Sequence, residues 1–189
     1  PFNDKATRSS PPTQSMTPTD LLENAIRTIP DFPEPGIQFR DITPILGDAK
    51  LFELAIDQII SPYSTGDVDQ VVGIDARGFI FGAAAALRLQ AGFTPIRKKG
   101  KLPFKTYEAS YDLEYGSNTI AIHTDAIQEG SKVLLVDDLL ATGGTAAAAL
   151  SLLKKLNADI LESVFLIELD ALKGRARLGA VPVRTLISY

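Results

Sequence analysis

The chain has 189 residues, 45% of them hydrophobic, with 19 basic against 23 acidic side chains and a formal net charge of −4. This builds one domain with a sizeable core, and the slight acidity argues against a nucleic-acid coat or other general polyanion binder. The absence of cysteine excludes disulfides, thiolate chemistry and cysteine-ligated zinc, and the single histidine, His123, excludes a multi-histidine metal site.

Residues 1–16 are polar and rich in Pro, Ser and Thr, the composition of a tail. No basic-then-apolar signal pattern opens the chain and no apolar run suits a bilayer, so the expectation is a soluble, cytoplasmic protein without a membrane partner. In TPTDLLENAIRTI, Thr17 is placed to cap, Pro18 suits the first helical position and Asp20 completes a capping box. A short amphipathic helix is predicted, with Leu22, Ile26 and Ile29 as its stripe. Prolines at 30, 33, 35 and 44, with Gly36, make the next stretch irregular. Residues 17–46 thus form a small N-terminal unit, or hood, ahead of a core over 47–189. Helical period returns in GDAKLFELAIDQII, capped by Asp48.

Strands and helices then alternate. Strands are predicted at 68–74, 93–98, 119–123, 132–138, 160–169 and 182–187. Helices are predicted at 78–89 and 144–156, with a helical turn or two at 171–178. Apolar strands alternating with helices imply an α/β fold, a mostly parallel twisted sheet flanked by helices on both faces. The helix GFIFGAAAALRL reads as closely packed through small residues, and His123, at a strand end, reads as structural. Lys98 to Asn118 has no sustained period. Connections that long tend to be lids or binding loops, but a surface β-hairpin or a disordered insertion is equally compatible with this composition.

The chemistry concentrates in VLLVDDLLATGGTAAAAL, Val133 to Leu150. In an open parallel sheet, ligands bind beyond the carboxyl ends of the strands, where Asp137 and Asp138 fall. Thr142-Gly143-Gly144-Thr145 then opens a helix. Glycines let the backbone wrap closely, so successive N–H groups and the helix N-terminus suit a phosphate. The loop is neither a Walker motif, lacking its Gly-Lys-Ser/Thr, nor a Gly-x-Gly-x-x-Gly dinucleotide fingerprint. Carboxylates repel phosphate but accept hydrogen bonds from sugar hydroxyls, so a ribose 5-phosphate satisfies both halves. Plainer readings are an aspartate pair that caps the helix, or an acidic pocket for Mg²⁺.

VLLVDDLLATGGT resembles the phosphoribosyl pyrophosphate (PRPP) signature of type I phosphoribosyltransferases. Collinear pieces bring the chain nearest to the adenine-specific branch: DFPEPGIQFRDITPIL (31–46), VVGIDARGFIFG (71–82), PIRKKGKLP (95–103), ASYDLEYG (109–116) and ELDALKGR (168–175). The resemblance implies transfer of the 5-phosphoribosyl group from PRPP to adenine, giving AMP and pyrophosphate. It implies Mg²⁺ as cofactor, held mainly through the substrate with no direct protein ligand expected, and a homodimer. It places the 5-phosphate on Ala141, Thr142, Gly143, Gly144 and Thr145, and the ribose hydroxyls on Asp137 and Asp138. It puts pyrophosphate at Asp75, Ala76, Arg77, Arg97 and Lys101, and adenine against Ile37, Gln38, Phe39 and Arg77. Glu114 and Tyr115, in a catalytic loop over 98–118, are the implied catalytic pair. By residue type alone, Arg97 and Lys101 read as a solvated basic loop, Glu114 as an exposed acid and Phe39 as core packing. The rival functions are transfer to hypoxanthine, guanine or xanthine, and a non-catalytic PRPP-sensing regulator. For the regulator, no basic recognition helix is found.

Overall fold

The computed structural model describes residues 16–112 and 116–189. Except for Met16, the tail read at 1–16 lies outside the described residues. The hood comprises α1 (Pro18–Ala25), an antiparallel ribbon of β1 (Arg27–Pro30) and β2 (Gln38–Asp41), and α2 (Thr43–Gly47). The core follows with α3 (Ala49–Ile60), β3 (Gln70–Ile74), α4 (Arg77–Leu89), β4 (Gly92–Lys98), β5 (Thr106–Asp112), β6 (Ser117–His123), β7 (Lys132–Leu140), α5 (Gly144–Lys155) and β8 (Asp159–Glu168). Two 3₁₀ turns, Asp170–Leu172 and Gly174–Arg177, lead to β9 (Val183–Ser188).

The helix starts follow their capping residues. Thr17 Oγ1 accepts from the Asp20 N–H at 3.2 Å, and the Asp20 carboxylate accepts from the Thr17 N–H at 2.8 Å, which satisfies two N–H groups at an otherwise unpaired end. Asp48 caps α3 through the N–H groups of Lys50 and Leu51.

The seven strands run in the order β5-β6-β4-β3-β7-β8-β9. Strands β4, β3, β7, β8 and β9 are mutually parallel, while β6 runs antiparallel to both β4 and β5. Alternation along β7 sends Leu134 and Val136 toward α1–α4 and Val133 and Leu135 toward α5, so this strand is apolar on both faces. Helix α4 sits close to the sheet because a Cβ at Gly82 would come within 2.9 Å of Phe93 and 3.3 Å of the Gly73 Cα.

Three expectations change. The first helix stops at Ala25, and Ile29 lies instead in β1, partly exposed. The irregular stretch contains β2 and α2. The aperiodic segment from Lys98 is built around β5, paired with β6 from Thr106↔His123 to Asp112↔Ser117, so it is a hairpin at the sheet's edge.

Arg184, on β9, closes α3. Its guanidinium donates to the carbonyls of Gln58 at 2.9 Å and Ile59 at 2.5 Å and pairs with the largely buried Glu162 at 2.7 Å. A cation there complements the helix C-terminus. Arg184→Met leaves Glu162 unpaired, and the expected cost is about 3 kcal/mol, the low end for breaking a buried pair because the arginine is partly exposed. Thermal unfolding should show a drop of roughly 6–12 °C for a chain of this size; an unchanged midpoint would contradict this role.

Candidate active site

Strand β7 ends on the two aspartates and two leucines, and the chain then turns through Ala141–Gly143 into α5. Gly143 caps that helix at φ +81°, a left-handed conformation that disfavours a side chain. A Cβ there would also collide with the carbonyl oxygen of Gly174, and one on Gly174 would collide with that of Ala141. The loop is thus clasped, backbone to backbone, by the turn at 173–175. That turn is fixed in place by Arg175, which pairs with the buried Glu168 carboxylate through Nε at 3.2 Å and Nη2 at 2.5 Å and donates to the Val183 carbonyl at 2.6 Å. Thr185 adds a hydroxyl to Glu168 at 3.0 Å. Arg175 first, then Thr185, holds the Glu168 carboxyl below the usual glutamate range.

The adjacent aspartates occupy different environments, as strand alternation requires. Asp138 is buried and pairs with Arg77 Nε at 2.5 Å. Asp137 accepts from the Asp138 N–H at 2.9 Å, and a Cβ on Gly78 would come within 2.7 Å of its Oδ1. Desolvation first, and the neighbouring Asp138 charge second, push the Asp137 carboxyl well above the ordinary range. This group gains from any ligand that brings hydrogen-bond donors.

Three cavities share walls along the carboxyl edge of the sheet. A small one lies against Asp137 and Leu139–Ala146. The next, about 390 Å³, is bounded by Ile74–Arg77, Tyr111, Asp137–Leu139, Ala141 and Thr145. The third, about 100 Å³, lies under the hood between Ile37–Arg40, Arg77, Asp138, Leu139, Ile167 and Leu169. Asp137, Ala141 and Thr145 connect the first pair, and Arg77 and Asp138 the second. The Arg77 guanidinium lies 5.7 Å from the Phe39 ring centroid, and Phe39 is held edge-on by Phe32 at 5.1 Å. The peptide between Asp75 and Ala76 is cis.

The structure therefore brings together Ile37, Gln38, Phe39, Asp75, Ala76, Arg77, Asp137, Asp138 and Ala141–Thr145. Arg97 and Lys101 stand outside the lining of these three cavities. Arg97 turns toward Asp75, Nε to Oδ2 at 3.4 Å, and donates to the Lys101 carbonyl at 3.1 Å. Glu114 and Tyr115 lie outside the described residues.

The model of the phosphoribosyl transferase domain matches residues 45–187. The chain belongs to the phosphoribosyltransferase family. A curated adenine phosphoribosyltransferase of Mesorhizobium japonicum is 57% identical over 172 residues, covering 90% of this chain and 95% of the relative. The crystal structure of adenine phosphoribosyltransferase from Rhodothermus marinus superposes with a TM-score of 0.86 at 51% identity, covering 91% of this chain and 98% of that one. The Saccharomyces cerevisiae enzyme, complexed with an imino-altritol bisphosphate and adenine, superposes at 0.85 with 44% identity over 89% and 98% of the two chains. The sheet is that of a type I phosphoribosyltransferase.

Sequence reasoning missed several residues that shape this phosphoribosyltransferase site. Leu139 lines all three cavities, Tyr111 walls the largest, and Gly174 clasps the loop. Leu139 carried a legible signal, its place beside the aspartates. Tyr111 and Gly174 arrive through long-range packing.

The raised Asp137 pKa has a consequence for stability. Between the ordinary carboxylate range and the raised value, the folded chain keeps a proton that the unfolded chain has lost. Stability therefore falls as pH rises through that window. Asp137→Asn should melt higher than the parent at neutral pH and lose that part of the decline, in melting curves recorded across pH. An equal or lower midpoint at neutral pH would show that the carboxylate is not a burden.

Proposed function

We propose that this chain transfers the 5-phosphoribosyl group from PRPP to adenine, giving AMP and pyrophosphate, a purine-salvage reaction. The supporting observation is the line of three wall-sharing cavities, whose order (backbone N–H loop, carboxylates, aromatic hood) matches phosphate, ribose and base. The family relatives named for adenine, and the yeast complex with adenine, support that choice of base.

In this reading the 5-phosphate lies on the N–H groups of Thr142–Thr145 at the α5 N-terminus, whose dipole favours an anion. The ribose hydroxyls donate to Asp137 and Asp138, which relieves the desolvated Asp137 and lets Arg77 turn its charge toward pyrophosphate. Asp75 and Ala76 border that leaving group, and Arg97 and Lys101 supply further positive charge when the edge closes on it. Adenine lies against Phe39, with backbone groups at Ile37 and Gln38 reading its amino edge, and Arg77 beside it. Glu114, assigned by resemblance, handles the imidazole proton as N9 becomes nucleophilic, and Tyr115 helps to close the site.

Magnesium fits the donor set. It prefers hard oxygen ligands, and the cleft presents Asp137 and Asp138. No three acidic or histidine side chains converge on one point among the described residues, so most ligands would come from the substrate. When bound, the ion neutralises the pyrophosphate leaving group. A homodimer is also part of the reading. An apolar groove between α3 and α4, with Leu87 81% exposed, suits a second copy.

The deciding assay supplies purified protein with PRPP, Mg²⁺ and each purine base. Adenine should be converted, with hypoxanthine and guanine slower by at least about a hundredfold; comparable rates would assign another base, and no turnover would leave the PRPP-sensing alternative. In the same assay Glu114→Ala should lower kcat about 10²–10⁴-fold. Gly143→Val should weaken PRPP binding by more than about tenfold, because the side chain strains the left-handed cap and breaks the clasp with Gly174. Retained affinity in calorimetry would contradict the loop assignment.

A further inference from the structure

Tyr111 belongs to none of the groups assigned above, yet the fold delivers it into the largest of the three site cavities. On β5, alternation turns Ala109 and Tyr111 toward the core beneath α5. The strand is fixed there by its pairing with β6, by a hydrogen bond from Lys155 Nζ to the Glu108 carbonyl at 3.1 Å, and by the Lys99–Glu108 ion pair at 2.8 Å. Tyr111 lies at the end of this anchored row. Tyr111 packs partly against the core and lines the 390 Å³ cleft together with Asp75–Arg77, Asp137 and Asp138.

Gly144 records the same contact from the other side. Unlike Gly143, it does not sit at positive φ, so its backbone conformation does not require glycine. A Cβ on Gly144 would lie 3.2 Å from Tyr111 Cδ2 and 3.8 Å from Cγ. The absent side chain leaves room for the tyrosine ring against the start of α5, which brings an apolar surface to the sugar's end of the phosphate loop. Of the other lining residues, Asp75, Arg77, Asp137 and Asp138 are charged, and Ile74, Ala76, Leu139 and Ala141 are apolar; Tyr111 is the one aromatic among them.

We propose that Tyr111 is a donor-site residue whose ring covers the C–H face of the ribose and keeps water from the anomeric carbon. This rests on the phosphoribosyl-transfer reading. As the bond to pyrophosphate breaks, that carbon takes on oxocarbenium character, and water competes with the base. In the side reaction a water oxygen bonds to the anomeric carbon, the carbon–oxygen bond to pyrophosphate breaks and a proton leaves to solvent, giving ribose 5-phosphate. An apolar wall suppresses it by excluding water.

The test compares Tyr111→Phe, Tyr111→Leu and Tyr111→Ala with the parent in the full chain. Each is assayed for AMP formation, for ribose 5-phosphate release from PRPP with and without adenine, and for melting temperature. Tyr111→Ala should raise KM for PRPP about tenfold, leave KM for adenine within about twofold, and raise the hydrolysed share of PRPP about tenfold. Tyr111→Phe should match the parent in all three. Tyr111→Leu keeps core packing with less cover, so it should fold and leak, which preserves the test if the alanine variant is unstable. An unchanged hydrolysed share in Tyr111→Leu, or equal rises in both KM values, would reduce Tyr111 to a packing residue and overturn the proposal. A phenylalanine variant as leaky as alanine would also overturn it, by assigning the effect to the hydroxyl. A parent protein that makes no AMP would overturn the underlying reading instead, separately from the PRPP-only hydrolysis comparison.

Discussion

Two neighbouring carboxylates at the end of a buried strand must each be offset, and the layout of the site follows from how each one is. Asp138 is offset by Arg77, which ties the first residue of α4 to the end of β7 and reaches toward the hood. For Asp137, desolvation and then the like-charged Asp138 outweigh the backbone N–H and the more weakly felt Arg77, so its carboxyl is pushed toward the protonated form. Its demand for donors is met by a ligand rich in hydroxyls. The same crowding extends to α4, where Gly78 must lack a side chain because Asp137 lies beneath it.

The phosphate loop next to this acidic pair depends on different physics. Its positive character comes from N–H groups and the α5 dipole, with no side-chain cation among the loop residues. Backbone placement then matters more than charge, which explains why the loop is clasped through main-chain contacts with Gly174 and why that turn is tied to Glu168 by a two-pronged arginine. Such charge-assisted, geometrically fixed pairing is among the stronger polar contacts available. In the proposed reading the acids and the anion site lie side by side because a single sugar separates their partners.

What the sequence revealed follows from the range of the interactions. Strand β7, the loop after it, helix α5 and the caps at Thr17 and Asp48 depend on local pattern, and each stands where residue types placed it. The ribbon β1–β2 and strand β5 did not read out. Strand β1 is exposed throughout, and β5 alternates only from Tyr107 to Asp112 within a polar stretch, with mixed exposed and partly buried positions, so neither stands out as an apolar strand. Each forms by pairing with the next strand along the chain. The site divides in a similar way. Asp137, Asp138 and Thr142–Thr145 stood out as an acid pair before a loop suited to an anion, while the residues proposed for pyrophosphate and base were reached only through resemblance. Tyr111 and Gly174 lie in stretches quoted for the resemblance but drew no role from residue type, because the partner that makes each matter is about thirty residues away along the chain.

The central claim is that the three cavities hold phosphate, sugar and base in that order. A crystal structure of the protein with AMP tests it most directly. The account predicts phosphate oxygens within hydrogen-bonding distance of the N–H groups of Thr142–Thr145, ribose hydroxyls on Asp137 and Asp138, and adenine against Phe39. A phosphate seated at Arg97 and Lys101, or a base lodged away from the hood, would contradict it.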